Sequence, residues 1–484
     1  MKKLSVCIVG IIVLGIGLHL HSGQAKYPVI IDTDGGFDDL RAILMFLAGR
    51  EFEVLAITAS EGSLTPPEGI RKVRSLLKTL HHEGISTAAG RSLDIQPPPW
   101  RRFCQDIPWG EESPGPPAGS QKAVDLLSCV FENEERKVWL VCLGSLTTAS
   151  DFFARHPDME SKTERIVWYN DAAGASKSFN YTINEAAAEE MFHSGLKMDV
   201  VKAMEETPLQ LDSYFLKELT QIKTPGARIL AGFFEVKEVP GKKALDHSIL
   251  RDDLIPIFLL NPGIFTSERK DRISLNFLKD ESAGRTALEI MIKILSVPSD
   301  TECQVFVRFP TDPALYAADI RPYIPEIIER HGESEWRAGV LTNELHGHLG
   351  IYAIIGVKMG LRAREYFNGG IDDMAVLSLA GRKPPVSCLN DGLQVSTGGT
   401  LGHGLITVSQ EPRSKPEAVF AYNNHAIRIS LKPEIAATVE AAIREAIERF
   451  GNLTESYWNA VRQQAIKLWL ELDRHEIFIV ESVQ

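Results

Sequence analysis

From Tyr27 onward, short runs of β-branched residues alternate with stretches of helical periodicity. The run VIID precedes LRAILMFLAG, VLAITAS precedes IRKVRSLLKTL, and VWLVCLG precedes TTASDFFARH. Strands that alternate with helices at this spacing pair in parallel, because each helix carries the chain back across a face of the sheet. The sequence therefore predicts an α/β fold with a mostly parallel sheet and helices on its faces, followed by a smaller α+β domain.

The first 25 residues differ in character from everything that follows. Lys2 and Lys3 precede an apolar run, and small residues lead up to Ala25, which is the pattern of a cleaved signal peptide. The apolar run is about 15 residues long, whereas a membrane-spanning helix needs roughly 20. An uncleaved anchor is therefore the less favoured alternative. We expect the mature protein to be exported, periplasmic or secreted, and without a membrane anchor.

A second change of composition occurs near Pro310, where a proline-containing stretch begins a new element. It predicts a first domain over 26–310 and a second over 311–484, which agrees with a chain of 484 residues being long enough for two domains. The formal net charge of −12 argues against a nucleic-acid partner. A small molecule is the expected ligand, and a homo-oligomer is left open.

The segment VIIDTDGGFDD, residues 29–39, contains four aspartates directly after a predicted strand. Ligands of parallel sheets bind beyond the carboxyl ends of the strands. Capping of the next helix explains one or two acids but not four, so a cation site is the favoured interpretation. Hard oxygen ligands suit Ca²⁺ or Mg²⁺. We expect all four to converge there: Asp32, Asp34, Asp38 and Asp39.

The segment DTDGGFDD resembles the DTDPGxDD motif of the nucleoside hydrolase family, of the inosine–uridine-preferring type, and the similarity extends from Tyr27 to about Ser296. VCLGSLTT is similar to the family's loop whose backbone carbonyl binds calcium. KSFNYTINEAAA resembles AEFNxxxDPEAA, and RDDLIPIFLLNPGIF resembles HDPLAxxxxIDPxxF. The resemblance implies a doubly wound α/β domain that hydrolyses the N-glycosidic bond of ribonucleosides around one Ca²⁺.

Individual roles follow from the same resemblance. It implies that Asp34 is the general base acting on a water molecule, while Asp38 and Asn180 hydrogen-bond the ribose diol. Calcium together with carboxylates suits this reaction, because they orient the sugar and offset developing positive charge. The implied calcium ligands are Asp34, Asp39, Asp252 and the backbone carbonyl of Leu143.

Three positions depart from the family pattern. Ser63 and Ser178 replace the Asn and Glu that hold the ribose 5′-hydroxyl, and Arg251 replaces a His that is a candidate acid for the leaving base. An arginine cannot donate a proton at neutral pH. These departures suggest a riboside whose base leaves without an acid and whose 5′ end differs from a plain hydroxyl. A cationic base would require Arg251 to turn away or to pair, with Asp253 or Asp246.

The second domain contains ELHGHLG and, later, VSCLNDGLQVSTGGTLGHG. A thiolate with two imidazoles suits zinc, so His346, His348 and Cys388 are candidate zinc ligands, with a purely structural role as the alternative. The region from about 320 to 407 resembles the small E-type domain of formylmethanofuran dehydrogenase. Two cysteines of that family are Gly350 and Gly399 here, which weakens a redox or one-carbon role.

The favoured function is an exported calcium-dependent N-glycosidase that hydrolyses a nucleoside or related riboside, fused to a zinc-binding domain. The alternative is a ribose-binding protein that retains the cation and has lost turnover. The retained aspartates favour the enzyme, whereas Ser63, Ser178 and Arg251 favour the binding protein.

Overall fold

The structure is a computed structural model that describes residues 27–113, 121–170, 178–203, 209–235, 249–296, 305–306, 308–410 and 414–483. The predicted signal peptide and Asp246 lie outside these residues. The described chain divides into two compact units, one up to residue 296 and one from residue 305. Within these ranges, no helix combines the length and apolar character needed to cross a membrane.

An eight-stranded sheet forms the centre of the first unit, in the order β3-β2-β1-β4-β5-β6-β8-β7. All neighbouring pairs are parallel except β7 and β8, which are antiparallel. This confirms the predicted mostly parallel, doubly wound sheet. The strands are β1 (Tyr27–Thr33), β2 (Phe52–Ala59), β3 (Ser86–Ala89), β4 (Val138–Cys142), β5 (Thr163–Tyr169), β6 (Met198–Val201), β7 (Phe265–Lys270) and β8 (Ile273–Leu278).

Helices cover both faces of this sheet, so its central strands are apolar on both sides. In β1, Val29 and Ile31 belong to one core cluster and Ile30 to the cluster on the opposite face, as the alternation of side chains along a strand requires. The helices are α1 (Phe37–Ala48), α2 (Pro66–Thr79), α3 (Arg101–Asp106), α4 (Ala123–Asn133), α5 (Thr147–Arg155), α6 (Phe179–Thr182), α7 (Glu185–His193), α8 (Ser213–Gln221), α9 (Pro225–Glu235), α10 (Leu254–Leu260) and α11 (Glu281–Ser296).

The second unit has a five-stranded sheet in the order β10-β9-β11-β12-β13, in which only β9 and β10 are parallel. This confirms the predicted smaller α+β domain. Its strands are β9 (Ala375–Ser378), β10 (Ile406–Val408), β11 (Glu417–Tyr422), β12 (His425–Leu431) and β13 (Phe478–Val483). Its helices are α12 (Ile324–His346), α13 (Ile351–Phe367), α14 (Leu389–Thr397), α15 (Pro433–Phe450) and α16 (Glu455–Glu471).

The core of the second unit forms where α12, α13 and α16 pack together. Trp336 and Trp469 stack there with their ring centres 5.2 Å apart. Gly339 lies directly against Trp469, where a Cβ atom would come within 2.6 Å of the indole carbon Cη2. Gly339 therefore allows α12 and α16 to approach each other closely.

Candidate active site and metal centre

A pocket of about 370 Å³ lies at the carboxyl edge of the large sheet. Its walls come from the segments that follow β1, β2 and β4, from the last residue of β5, and from the turn before α10. A parallel sheet places ligands at this edge because the ends of several strands open onto one crevice. Every residue predicted for the hydrolase site lines this pocket, namely Asp34, Asp38, Asp39, Leu143, Asn180 and Asp252.

Four carboxylates line the pocket, those of Asp34, Asp38, Asp39 and Asp252. The three that lie closest to one another are not the predicted ligand set. Asp38, Asp39 and Asp252 each offer an oxygen, and these oxygens lie within 4.8 Å of one another. The predicted ligand set has Asp34 where this group has Asp38. Asp34 lines the same pocket and is only 3% exposed.

The turn between β1 and α1 makes this convergence sterically possible. A Cβ atom on Gly36 would lie 2.6 Å from Oδ2 of Asp39, 2.7 Å from Oδ1 of Asp38 and 3.4 Å from Oδ1 of Asp34. The Gly36 amide donates hydrogen bonds to Asp34 Oδ1 and Asp39 Oδ2, each at 3.0 Å. Gly35 has a φ of +79°, which a residue with a side chain adopts only at a cost. Glycine at these two positions therefore lets the carboxylates face one another.

The electrostatics of this cluster fit a cation. Burial and the charge of Asp38 raise the pKa of Asp34 to about 6. Burial and the neighbouring carboxylates also raise the pKa of Asp39 and of Asp252 well above the usual range. Asp252 Oδ1 is buried and has no hydrogen-bond partner in the described part of the chain. A divalent cation would offset this repulsion and supply the missing partner, and an all-oxygen donor set suits calcium.

Asp32 does not join the other three aspartates, so the expectation that all four converge is wrong. The Thr58 hydroxyl donates a 2.6 Å hydrogen bond to Asp32 Oδ1, and Asp32 is absent from the pocket wall. Burial raises its pKa to about 6. Asp32 still belongs to β1, whereas Asp34 follows the end of the strand, where the chain is free to change direction.

Leu143 and Asn180 lie side by side in the pocket. Asn180 Nδ2 donates hydrogen bonds to the Leu143 carbonyl at 2.8 Å and to the Tyr169 carbonyl at 3.1 Å. The amide group thus uses its donors on the backbone, and its Oδ1 is the atom that would accept a hydrogen bond from a ligand. A carbonyl oxygen has two lone pairs, so Leu143 retains one for a cation.

Ser63 and Ser178, which depart from the family pattern, each accept a hydrogen bond. Ser63 Oγ accepts a 3.1 Å hydrogen bond from Trp100 Nε1, and Ser178 Oγ accepts a 3.2 Å hydrogen bond from the Tyr181 amide at the start of α6. The indole of Trp100 therefore lies against Ser63, on the side of the pocket where the resemblance implies a clamp for the ribose 5′-hydroxyl.

Arg251 lines the pocket and faces Asp38, with Nη1 3.7 Å from Asp38 Oδ2. The pairing suggested with the Asp253 carboxylate is wrong for the Arg251 side chain. Asp253 instead forms two hydrogen bonds with Arg41, Nε to Oδ1 at 2.8 Å and Nη2 to Oδ2 at 2.7 Å. Both of those side chains are at most 1% exposed. The backbone amide of Arg251 donates a hydrogen bond to Asp253 Oδ2 at 3.3 Å.

Sequence reasoning missed the aromatic wall of the pocket. Trp100 and Phe103 come from α3 and the residue before it, and Trp100 packs edge-on against Phe179 with ring centres 4.7 Å apart. The sequence signal for this wall is the proline- and glycine-rich stretch of residues 93–119, a composition typical of surface loops that border sites. That composition indicates a loop near a ligand, but it does not identify which side chains enter the pocket.

The candidate zinc ligands of the second unit are less closely grouped. In the ranges that the structure describes, the three carboxylates of the first unit are the sole trio of His, Cys, Asp or Glu ligand atoms within 4.8 Å of one another. His346, His348 and Cys388 are therefore not brought into such a trio. The rings of His346 and His348 do lie 4.3 Å apart. Burial and the charge of Asp391 raise the pKa of the Cys388 thiol to about 11.

One contact in this region was not predicted. His346 Nδ1 lies 2.6 Å from Asp391 Oδ2, and its Nε2 is buried without a hydrogen-bond partner among the described residues. A carboxylate on one ring nitrogen is the usual companion of a metal on the other. His346 is therefore the best-prepared ligand of the three candidates.

Both units match families of known proteins. Residues 29–312 match the family model of inosine-uridine preferring nucleoside hydrolases, and residues 345–479 match the FmdE model, described as molybdenum formylmethanofuran dehydrogenase operon. The pyrimidine-specific ribonucleoside hydrolase RihA of Klebsiella pneumoniae is 30% identical over 266 residues, which are 50% of this chain and 81% of that protein. RihA of a Shewanella species is 28% identical over 257 residues, 50% of this chain and 80% of that protein. The solved purine-preferring ribonucleoside hydrolase of Gardnerella vaginalis is 18% identical, with 56% of this chain and 100% of that chain covered and a TM-score of 0.46.

The fold and the pocket define a doubly wound α/β protein with an acidic pocket at its strand ends. The match at 29–312 covers more than half of the 484 residues, and the chain belongs to the inosine-uridine preferring nucleoside hydrolase family, whose members are hydrolases acting on N-glycosyl bonds. Both resemblances predicted from the sequence are thereby confirmed.

Proposed function

We propose that the first unit hydrolyses the N-ribosidic bond of a nucleoside with the help of one calcium ion. The observation that carries this proposal is the convergence of buried carboxylates in one pocket at the strand ends, with Asp252 Oδ1 buried and without a hydrogen-bond partner in the described chain. Asp34, Asp39, Asp252 and the Leu143 carbonyl would hold the ion, which supplies positive charge that orients the ribose and acidifies a water molecule.

The side chains of the pocket carry out the remaining steps. Asp34 takes a proton from the attacking water, whose oxygen bonds to C1′ of the ribose while the electron pair of the N–C1′ bond passes to the base. Asp38 accepts a hydrogen bond from the ribose diol, and Asn180 Oδ1 accepts another. The carboxylates offset the positive charge that develops on the sugar as the bond breaks.

The test is metal analysis of the purified full chain, followed by a ribose-release assay on inosine and uridine. We expect about one calcium per chain, release of free base and ribose, and loss of turnover after chelation that calcium restores. A protein that releases ribose equally well after complete calcium removal would contradict the proposed role of the ion.

A binding protein without turnover is the second candidate, because Trp100 and Ser63 occupy the side of the pocket where the resemblance implies a 5′-hydroxyl clamp. The two candidates differ in one measurement. A binding protein would retain uridine or inosine in equilibrium dialysis with calcium present, and the recovered nucleoside would remain intact.

For the second unit we propose a zinc ion bound through His346, His348 and Cys388. The support is the Asp391 carboxylate on His346 Nδ1, which leaves Nε2 for a metal. The three groups would have to move closer together on binding. Zinc content of His346→Ala, measured beside the wild type, should fall by one ion per chain while calcium is unchanged.

We also propose that the protein is exported after cleavage behind Ala25. The support is the sequence pattern of residues 1–25 alone. N-terminal sequencing of the mature protein from its native host should show that the chain begins at Lys26. An intact Met1 would contradict cleavage.

A further inference from the structure

Arg251 stands on the open side of the acidic pocket. Its side chain is 37% exposed and that of its neighbour Asp38 is 21% exposed, whereas Asp34, Asp39 and Asp252 are each at most 3% exposed. A riboside whose diol is held inside this pocket must extend its substituents toward this open side. The guanidinium therefore lies on the side toward which the base and the 5′ group of the substrate would extend.

A buried ion pair fixes the backbone that carries Arg251. The Arg251 amide donates to Asp253 Oδ2 at 3.3 Å, and Asp253 is held at both of its oxygens by Arg41. Arg41 Nη2 also donates to the Ile249 carbonyl at 2.7 Å. The chain is thus anchored on both sides of Arg251, and its side chain is directed into the pocket by Asp38.

The chemistry available to Arg251 is limited. A guanidinium stays protonated at any physiological pH, so it cannot protonate a leaving base. It can pair with negative charge through strong, directional hydrogen bonds. Among the described residues that line the pocket there is no histidine or lysine, and Tyr169 and Cys104 are the remaining side chains there that carry an acidic proton, apart from the carboxylates and serines.

We infer that Arg251 stabilises the leaving base as an anion, which makes it a catalytic and specificity-determining residue of the proposed hydrolase. The N–C1′ bond breaks with both electrons moving to the base, and the water proton goes to Asp34. Arg251 transfers no proton, and the released anion is protonated by solvent. Oxo-substituted bases such as uracil or hypoxanthine, which tolerate negative charge, are therefore favoured over amino-substituted bases. This inference rests on the proposed nucleoside hydrolysis.

The experiment compares wild type with Arg251→Gln on uridine, adenosine and p-nitrophenyl riboside, all with calcium. Removal of one donor to a developing anion usually costs roughly 10²–10³ in kcat, and we expect that loss on uridine with little change in KM. p-Nitrophenolate is a stable anion, so its riboside should lose less than about tenfold. Wild type should also prefer uridine to adenosine.

Two further variants complete the design. Arg91→Gln removes a surface arginine paired with Asp151 at 2.7 Å, and it should leave all three rates unchanged. Tyr169→Phe tests the tyrosine hydroxyl as a rival acid in the pocket. The inference is wrong if Tyr169→Phe lowers the rate on uridine but not on p-nitrophenyl riboside, while Arg251→Gln changes both rates to the same extent. Those two results would mean that the tyrosine protonates the leaving base.

The remaining outcomes are also decisive. Equal losses on uridine and p-nitrophenyl riboside in Arg251→Gln would mean that Arg251 only positions Asp38, and they would overturn this inference while the proposed hydrolysis stands. A loss confined to uridine 5′-phosphate, assayed in parallel, would assign the guanidinium to the 5′ end instead. If wild type cleaves none of these ribosides, the proposed function itself fails together with the inference.

Discussion

The two units of the chain bring candidate ligands together to very different extents. In the first unit, oxygens of Asp38, Asp39 and Asp252 lie within 4.8 Å of one another at the edge of a parallel sheet. In the second, His346 and His348 are neighbours but form no such trio with Cys388 in the described residues. A parallel sheet forces the ends of distant strands into one crevice, whereas residues beside helix ends have no shared edge to gather them.

The two units also differ in how their buried charged side chains are arranged. The pocket of the first unit gathers four carboxylates around the single guanidinium of Arg251 and that of Arg41, which is paired with Asp253, and burial raises the pKa of three of these carboxylates. The second unit instead pairs opposite charges: Lys358 with Glu335, and Arg474 with both Glu335 and Glu365. Unbalanced buried charge points to a ligand that is missing from the chain itself, while balanced charge points to a structural role.

The strongest test of the comparison uses two aspartates two positions apart. Asp34→Asn should lower kcat by about 10²–10⁴ through loss of the general base, whereas Asp32→Asn should stay within a few-fold of wild type, because Asp32 faces Thr58 rather than the pocket. The measurements are kcat on uridine with calcium and thermal denaturation of each variant. Similar losses of activity in both, with matching losses of stability, would place the effect in folding.

A second test compares the buried ion pairs. Arg41→Met leaves Asp253 buried without its partner and should lower the unfolding free energy by about 3–5 kcal/mol. Lys358→Met should cost less, because Glu335 keeps its contact with Arg474 at 3.2 Å. Urea denaturation of the full chain measures both. A larger loss for Lys358→Met would mean that the network of the second unit is the more tightly coupled of the two.

A third test concerns the histidine of the second unit. Asp391→Asn removes the carboxylate from His346 Nδ1 and should weaken zinc binding by about 10–100-fold. Asp372→Asn is the matched control, since Asp372 contacts His403 at 3.2 Å instead. Competition with a chromophoric zinc chelator provides the readout. Unchanged affinity in Asp391→Asn would mean that the contact with His346 is structural.

The smallest expected effect is a dependence of stability on pH. Burial alone would lower the pKa of His475, but hydrogen bonds with Asp473 and Glu365 outweigh it and raise the pKa above its usual 6.5. Because the folded pKa is the higher one, this contribution is complete below about pH 6.5 and is lost as the pH rises through the folded value. The melting temperature of the second unit should therefore decline slightly above neutral pH.

His475→Gln is the variant that isolates this effect. It should flatten the decline, since glutamine carries no titrating charge. A slope that persists in the variant would assign the dependence to another group.

The sequence supported much of the fold because the relevant signals are local. Alternating β-branched runs and helical periods predicted the strands and helices around β1, β2 and β4, and six predicted site residues line one pocket. Motif spacing was enough to predict these site residues because the carboxyl ends of all strands of a parallel sheet lie at the same edge. The roles of the site residues and the identity of both metals stay predictions.

The remainder depended on contacts between distant parts of the chain. Local pattern does not encode that Arg41 meets Asp253, 212 residues further on, that Trp100 reaches Ser63, or that Asp391 reaches His346.

Thus the sequence by itself determined which chemical groups stand at which point of the chain: the four aspartates after VII and the histidines around Gly347. The tertiary structure alone decided which of them meet. Asp34 enters the pocket and Asp32 does not, because β1 ends at Thr33 and the turn through Gly35, at φ +79°, redirects the chain. Side-chain direction within a strand follows its alternation, but beyond the strand end it depends on turn geometry and on the packing of neighbouring segments.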